Sequence, residues 1–241
     1  MKRYPVSKKY YTIKSIVDET HNMKSFVLSP SDETSIFDYR PGHFVNCTIK
    51  GQEDIGKRSY SIATSPTEED IMISVKLVGS FTHALFNLNI GDEIELLGPL
   101  GLPYIRDESM DSDIVMIAGG SGVVPYRSLI KYYIDNNKNN RMFLLLSNKT
   151  MGDICYREQL MEYCAEKDNL MVTHFITNQD IDANDFIVKG RINEKYFKRM
   201  FSNPAEKIYF VCGPKGLVSL SVKILVGMGV PMNRIKTESW G

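Results

Sequence analysis

Ile114-Val115-Met116-Ile117-Ala118-Gly119-Gly120-Ser121-Gly122-Val123-Val124-Pro125 reads as a short apolar strand, a glycine-rich turn and the opening of a helix. Four consecutive apolar residues fit a strand buried on both faces, and the glycines permit a sharp reversal. Pro125 suits the first helical turn, where its missing N–H costs nothing. Tyr126, Leu129, Ile130, Tyr133 and Ile134 then recur at helical spacing. Further apolar runs at Met142–Leu146, Met171–Ile176 and Ile208–Val211 alternate with helical patterns, one of them carrying Leu217, Leu220, Ile224 and Leu225. Strands alternating with helices indicate a parallel α/β sheet.

Upstream the rhythm differs. Ile71, Ile73, Val75 and Leu77 alternate with Met72, Ser74 and Lys76, and Val45, Cys47 and Ile49 alternate with Asn46 and Thr48. Further strands are predicted near Tyr10–Asp18, Ser25–Leu28, Arg58–Ala63 and Glu93–Leu97, separated by Pro41-Gly42, Gly51, Gly91-Asp92 and Gly98-Pro99. Six short strands with such punctuation predict a small antiparallel barrel. The expected organisation is therefore two domains: an N-terminal six-stranded antiparallel β-barrel over 1–108 and a C-terminal α/β parallel-sheet domain over 109–241, with the boundary inside Arg106–Asp113.

Composition excludes several classes. In 241 residues, 43% are hydrophobic and 24% charged, as in ordinary globular proteins. Lys+Arg and Asp+Glu both number 29, so bulk charge argues for neither nucleic acid nor an anionic membrane. No apolar run approaches the roughly 18 residues that span a bilayer. The basic start Met1-Lys2-Arg3-Tyr4-Pro5 is not followed by an apolar signal core. Cys47, Cys155, Cys164 and Cys212 are scattered without a Cys-x-x-Cys, so no metal or iron–sulfur cluster is expected, and the cytoplasm is the expected compartment. Cys47, Cys155 and Cys164 read as packing residues, and His43 as a satisfied barrel histidine.

The chemistry concentrates in two places. Arg58-Ser59-Tyr60-Ser61 offers a planar cation and an aromatic ring on alternate positions of one strand, hence on one face. A guanidinium matches phosphate bidentately, and a phenol ring is a platform for a flat heterocycle, worth about 1–3 kcal/mol by analogy with base stacking. A phosphate and a flat ring on one ligand suggest a flavin nucleotide. The glycine turn is the second place, since a strand–turn–helix lets backbone approach a pyrophosphate. Its pattern is Gly120-x-Gly122-x-x-Pro125, with Pro where the dinucleotide fingerprint has Gly or Ala. The acidic residue expected after the second strand is absent, the chain reading Ser147-Asn148-Lys149-Thr150. Tight βα turns of this kind occur in many α/β proteins, so the turn alone leaves nucleotide binding open.

The ordered set of motifs is more specific. Arg58-Ser59-Tyr60-Ser61, Gly79-Ser80-Phe81-Thr82, Gly91-Asp92-Glu93-Ile94 with Gly98-Pro99-Leu100-Gly101, Gly119-Gly120-Ser121-Gly122-Val123-Val124-Pro125, Cys212-Gly213-Pro214 and Glu238-Ser239-Trp240-Gly241 together resemble the ferredoxin–NADP reductase superfamily over nearly the whole chain. Pro41-Gly42-His43-Phe44 resembles that family's Pro-Gly-Gln-aromatic step, with His for Gln. The resemblance implies FAD, in preference to FMN, in the barrel domain and NAD(P)H as co-substrate in the α/β domain. It implies a flavin site of Arg58 on the phosphate, Ser59, Tyr60 against the isoalloxazine, and Ser61 near the hydride-accepting nitrogen. Backbone at Ile73, Val75 and Lys76, with Gly79, Ser80 and Thr82, would meet the pyrophosphate. Gly120, Gly122 and Pro125 would face the nicotinamide nucleotide, Cys212, Gly213 and Pro214 would border the nicotinamide, and Glu238 and Trp240 would close the other side of the flavin. Ser61, Cys212 and Glu238 are the expected catalytic residues. Lys149 is the candidate for a 2′-phosphate, with the choice between NADH and NADPH open.

The function so implied is hydride transfer from NAD(P)H to FAD, then electron transfer to a separate acceptor: a ferredoxin, flavodoxin, cytochrome or oxygenase component. The two halves occupy the whole length, leaving no room for an iron–sulfur domain. The rival readings are an electron-transfer subunit of a larger redox complex, and a flavin- or nucleotide-binding module without turnover.

Overall fold

The computed structural model describes residues 4–32, 35–104, 112–184 and 186–240. Of the expected boundary segment, residues 106–111 lie outside these, as do residues 1–3 of the basic start. The described residues form two compact units: those within Met1–Glu108 with Val124–Asn136, and those within Ser109–Val123 with Asn137–Gly241.

The first unit is a six-stranded antiparallel, nearly closed barrel. Its strands are β1 (Ser7–Thr20), β2 (Met23–Pro30), β3 (Phe44–Ile49), β4 (Lys57–Ser61), β5 (Ile71–Lys76) and β6 (Glu93–Leu100), ordered β4-β3-β6-β1-β2-β5. The strand alternation seen in the sequence is the cause: Tyr11, Ile13, Phe26, Leu28, Val45, Cys47, Ile49, Ile73, Val75, Ile94 and Leu96 all point into one core. His43 is buried there, its Nδ1 accepting the Arg40 N–H at 3.1 Å. One difference stands out on β5. Met72 and Ser74, which alternate with the core-facing residues, are also buried: Ser74 shares a 2.7 Å hydroxyl bond with Ser25, and Met72 N–H donates to the Thr64 hydroxyl. A short helix, α1 (Ser80–Phe86), was not legible in the sequence. Gly79 caps it, and Thr82 closes the first turn by accepting from the Val78 and Gly79 N–H groups.

Helix α2 (Val124–Asp135) also belongs to this unit by its packing. Arg127, 5% exposed, donates from both terminal nitrogens to the Glu68 carboxylate and from Nη1 to the Ala63 carbonyl, each at 2.9 Å. Ser128 donates to the Thr64 carbonyl at 2.6 Å, and the Thr67 hydroxyl bonds Asp135. These bonds tie the helix to the loop that follows β4.

The second unit is a six-stranded sheet ordered β10-β9-β8-β7-β11-β12, with every pair parallel: β7 (Ile114–Gly119), β8 (Met142–Asn148), β9 (Leu170–Ile176), β10 (Ile187–Lys189), β11 (Ile208–Pro214) and β12 (Ile235–Trp240). Helices α3 (Arg157–Glu166), α4 (Glu194–Met200) and α5 (Lys215–Gly227) supply crossovers. Asp113 holds the strands' entry edge, pairing with Lys207 at 2.7 Å and Arg141 at 2.8 Å. On α5 the buried stripe is Val218, Ser221, Ile224 and Leu225, whereas Leu220, expected inside, is 38% exposed. No helix among the described residues is long and apolar enough to cross a membrane.

Removing one partner of a buried ion pair strands the other charge, at a cost of about 3–5 kcal/mol. Glu68 keeps partial water access, so Arg127→Ala is expected to destabilise the barrel unit by about 2–3 kcal/mol, read as a lowered midpoint in denaturant. An unchanged midpoint would show that the clamp contributes nothing.

Candidate functional site

The flavin-type residues come together where the barrel fails to close. β4 and β5 are the two ends of the strand order, joined among the described residues only by the Ile62–Ile73 bridge. No ladder continues from that bridge along Ser74–Lys76 among the described residues, so the free edge of β5 leaves backbone polar groups that need partners. On the facing strand, Arg58 and Tyr60 both meet Phe81 of α1. The guanidinium stands 5.6 Å from that ring's centroid, and the two aromatic rings are 6.3 Å apart at 34°. This confirms the shared face of Arg58 and Tyr60. Ser59 points the other way and donates to Asn46 Oδ1 at 2.7 Å. Arg58 is exposed, donates to its neighbour's carbonyl, Lys57 O, and has no ion-pair partner among the described residues. Tyr60 is half-buried, and burial, then the neighbouring Cys47, pushes its phenol pKa up, so the ring stays a neutral platform.

The side chains of Ile73 and Val75 lie in the barrel core, so only their backbone can meet a ligand. Thr82 is 5% exposed and donates its single hydroxyl proton to the Gly79 carbonyl at 2.8 Å. Ser80 is exposed beside it. A free guanidinium, a half-buried ring and an unpaired strand edge in one seam fit an elongated ligand with a phosphate and a flat heterocycle.

In the second unit the strand order reverses between β7 and β11, the switch point where open α/β sheets bind ligands at their carboxyl ends. The glycine turn sits there as a 3₁₀ turn, Gly120–Val123. Its glycines do different jobs. Gly120 has φ +53° and open space where a Cβ would lie, whereas a Cβ on Gly122 would stand 2.2 Å from the Cys212 carbonyl oxygen. Gly122 is thus required by the close approach of the turn to β11, and Gly120 by backbone conformation with its surface left free. Cys212 pairs in register with Ala118 on one side and Glu238 on the other, and its thiol donates to Glu238 Oε2 at 3.8 Å. Burial, reinforced by the Glu238 charge, drives its pKa up, so it is a neutral thiol. Gly213 and Pro214 continue β11, Trp240 pairs with Pro214, and Lys149 is exposed one residue past β8. Pro125 lies in α2, with the first unit. Free backbone at Gly120 beside Cys212 at the switch point fits a nicotinamide dinucleotide. No cluster able to hold a metal exists among the described residues.

Sequence reading missed Phe81, Arg127 and Glu68. Phe81 meets the Arg58–Tyr60 strand only through tertiary packing, and nothing local signals it. Arg127 carried a signal, a cation in an otherwise apolar stretch of helix.

Comparison with known proteins agrees with the two expected cofactors. Residues 11–104 match the family model of the oxidoreductase FAD-binding domain, and residues 116–223 that of the oxidoreductase NAD-binding domain. The chain is 28% identical to sulfhydrogenase 2 subunit gamma of Pyrococcus furiosus, over 83% of this chain and 71% of that protein. It is 26% identical to the glycine betaine monooxygenase reductase subunit of Pseudomonas aeruginosa, over 94% of this chain and 62% of that one, so it spans under two thirds of that relative's length. The flavohem-like FAD/NAD binding domain of nitric oxide dioxygenase from Vibrio cholerae shares the fold, with TM-score 0.85 and 23% identity over 99% of this chain and 100% of that one. The two models together cover most of the chain, which is an oxidoreductase with an FAD-binding and a NAD-binding domain; it shares the fold of ferredoxin–NADP+ reductase from Plasmodium falciparum, with TM-score 0.79 and 19% identity over 97% of this chain and 96% of that one. Its cofactor is FAD and its co-substrate NAD(P)H.

Alanine at position 120 must adopt a left-handed conformation, costing about 1–2 kcal/mol, whereas at 122 it must displace backbone. Gly122→Ala is expected to cost at least about 3 kcal/mol, beyond ordinary overpacking, and to melt below Gly120→Ala. The reverse order would sink the steric account of Gly122.

Proposed function

We propose that this protein takes hydride from NAD(P)H onto FAD and passes the electrons to a separate protein acceptor such as an oxygenase component, ferredoxin, flavodoxin or cytochrome. The observation that carries this reading is the unpaired Arg58 guanidinium beside half-buried Tyr60 at the open β4–β5 seam, inside an FAD-binding domain. Bound flavin supplies the capacity to accept two electrons together and release them singly. The chain's own residues then have positioning work, because hydride transfer needs two rings held at about 3–3.5 Å and little acid–base chemistry.

Arg58 would hold phosphate, with Ser59 bracing the strand through Asn46. Tyr60 would support one ring face, and Ser61 would donate near the hydride-accepting nitrogen. Backbone at Ile73, Val75 and Lys76, with Gly79 and Ser80, would receive the pyrophosphate. Thr82 would act through the turn it closes, since its proton is committed to Gly79. Gly120, Gly122 and Pro125 would face the dinucleotide, and Cys212, Gly213 and Pro214 the nicotinamide. Glu238 would hold the Cys212 thiol in place, and Trp240 would cover the flavin. The proposed division gives 1–108 to FAD and 109–241 to NAD(P)H. The reading places the protein in the cytoplasm, where its four thiols, none of them in a disulfide, stay reduced. A second reading, an electron-transfer subunit of a larger redox assembly, is supported by the similarity to the sulfhydrogenase subunit. Affinity purification of the native protein separates them, by recovering either a lone reductase or a fixed complex.

The central test is optical. Purified protein should be yellow, release FAD on heating, and bleach when NADH or NADPH is added without oxygen. Colourless protein that takes up no flavin overturns both readings. Tyr60→Ala should weaken flavin retention about tenfold or more, from a stacking contribution of about 1–3 kcal/mol, while the second unit stays folded; full occupancy would count against stacking. Lys149→Ala should lower kcat/KM for NADPH and spare NADH if Lys149 meets a 2′-phosphate. Equal effects on both coenzymes would reject that contact.

A further inference from the structure

A cavity of about 600 Å³ lies within the second unit, between α3 and the β9–β10 edge of its sheet. That volume is typical of small-molecule sites. The cavity is distinct from the switch-point residues. Its helical wall carries Arg157, Leu160, Met161 and Cys164, at spacing i, i+3, i+4 and i+7, so one whole face of α3 is turned to it. Its floor carries Leu170, Val172 and His174, alternate positions on one face of β9. Leu160, Leu170 and Val172 are buried between these two walls, while Arg157 and Met161 are exposed.

Four features define what the space accepts. The walls are mainly aliphatic, and Met151, Met161 and Met171 among them are unbranched and adaptable, which suits a flexible alkyl chain more than a rigid ring system. Arg157 is an exposed cation at the start of α3 with no ion-pair partner among the described residues. Asp168, beyond the other end of that helix, gives the opposite end of the cavity a negative group. His174 is 9% exposed, and its Nδ1 is buried without a hydrogen-bond partner. Leaving such a group unsatisfied costs about 1–3 kcal/mol. Burial, with Arg157 adding to it, pushes the His174 pKa down to about 4, so the ring is neutral near pH 7.

We propose that this cavity is a binding site for an amphipathic monocarboxylate of the medium-chain fatty-acid type, its carboxylate on Arg157 beside His174 and its alkyl chain along Leu160, Val172 and Ile187. One cation and one neutral imidazole match a single carboxylate and undersupply a phosphate dianion. Asp168 disfavours a second carboxylate at the chain's far end. The site is independent of flavin and coenzyme, and its test does not rest on turnover.

The test is calorimetric titration of the flavin-loaded full chain with octanoate, octanol and octanedioate. Octanoate is expected to bind at one site, with octanedioate at least tenfold weaker. Arg157→Ala should weaken octanoate about tenfold and leave octanol unchanged. Met161→Trp, which fills the cavity from an exposed position, should weaken octanoate and octanol alike while the melting midpoint holds. Octanoate should also shift the His174 imidazole resonances. Absence of octanoate heat at millimolar concentration overturns the proposal. So does binding that survives both substitutions, or octanedioate binding as well as octanoate.

Discussion

A buried guanidinium has five donors to satisfy, and at Arg127 a carboxylate and a main-chain carbonyl receive it. That requirement organises the loop behind β4. Glu68 bridges Arg127 and the Ser65 N–H, while Thr64 takes bonds from Ser128 and Tyr39 through its carbonyl and from the Met72 N–H through its hydroxyl. Strand β4, which carries Arg58 and Tyr60, therefore runs into a loop whose polar atoms are nearly all committed. A flat ring can be supported only by a side chain that does not move, and this network is what stops the loop moving.

The seam between β4 and β5 and the crevice beside β7 are built on opposite principles. At the seam the barrel leaves backbone unpaired and an arginine without a counter-charge, so a ligand completes the structure. At the crevice the protein packs closely, with Gly122 pressed on the Cys212 carbonyl, and leaves open space beside Gly120. The first arrangement suits a cofactor that stays, and the second a coenzyme that comes and goes.

The barrel strands and the four central strands of the sheet were legible because each imprints a period on its own sequence. Elements fixed by distant partners were not. Helix α1 has only seven residues and depends on the Thr82 hydroxyl. β10 has three residues, and β12 reads Ile-Lys-Thr-Glu-Ser-Trp, polar enough to pass for a tail until β11 pairs with it. The shared face of Arg58 and Tyr60 was legible because they share a strand, and period two predicts it. Phe81 beneath them was missed, since no local pattern relates residues twenty positions apart. Leu220 was misplaced because α5 is apolar on more than one side, which blurs its stripe.

The pairing of Cys212 with Glu238 bears on durability. Reduced flavins leak electrons to dioxygen, and the peroxide that follows attacks sulfur in its ionised form. A carboxylate beside a desolvated sulfhydryl suppresses that ionisation, so the cysteine lodged in β11 is chemically quiet. Electrostatics and burial together thus shield this sulfur from oxidation.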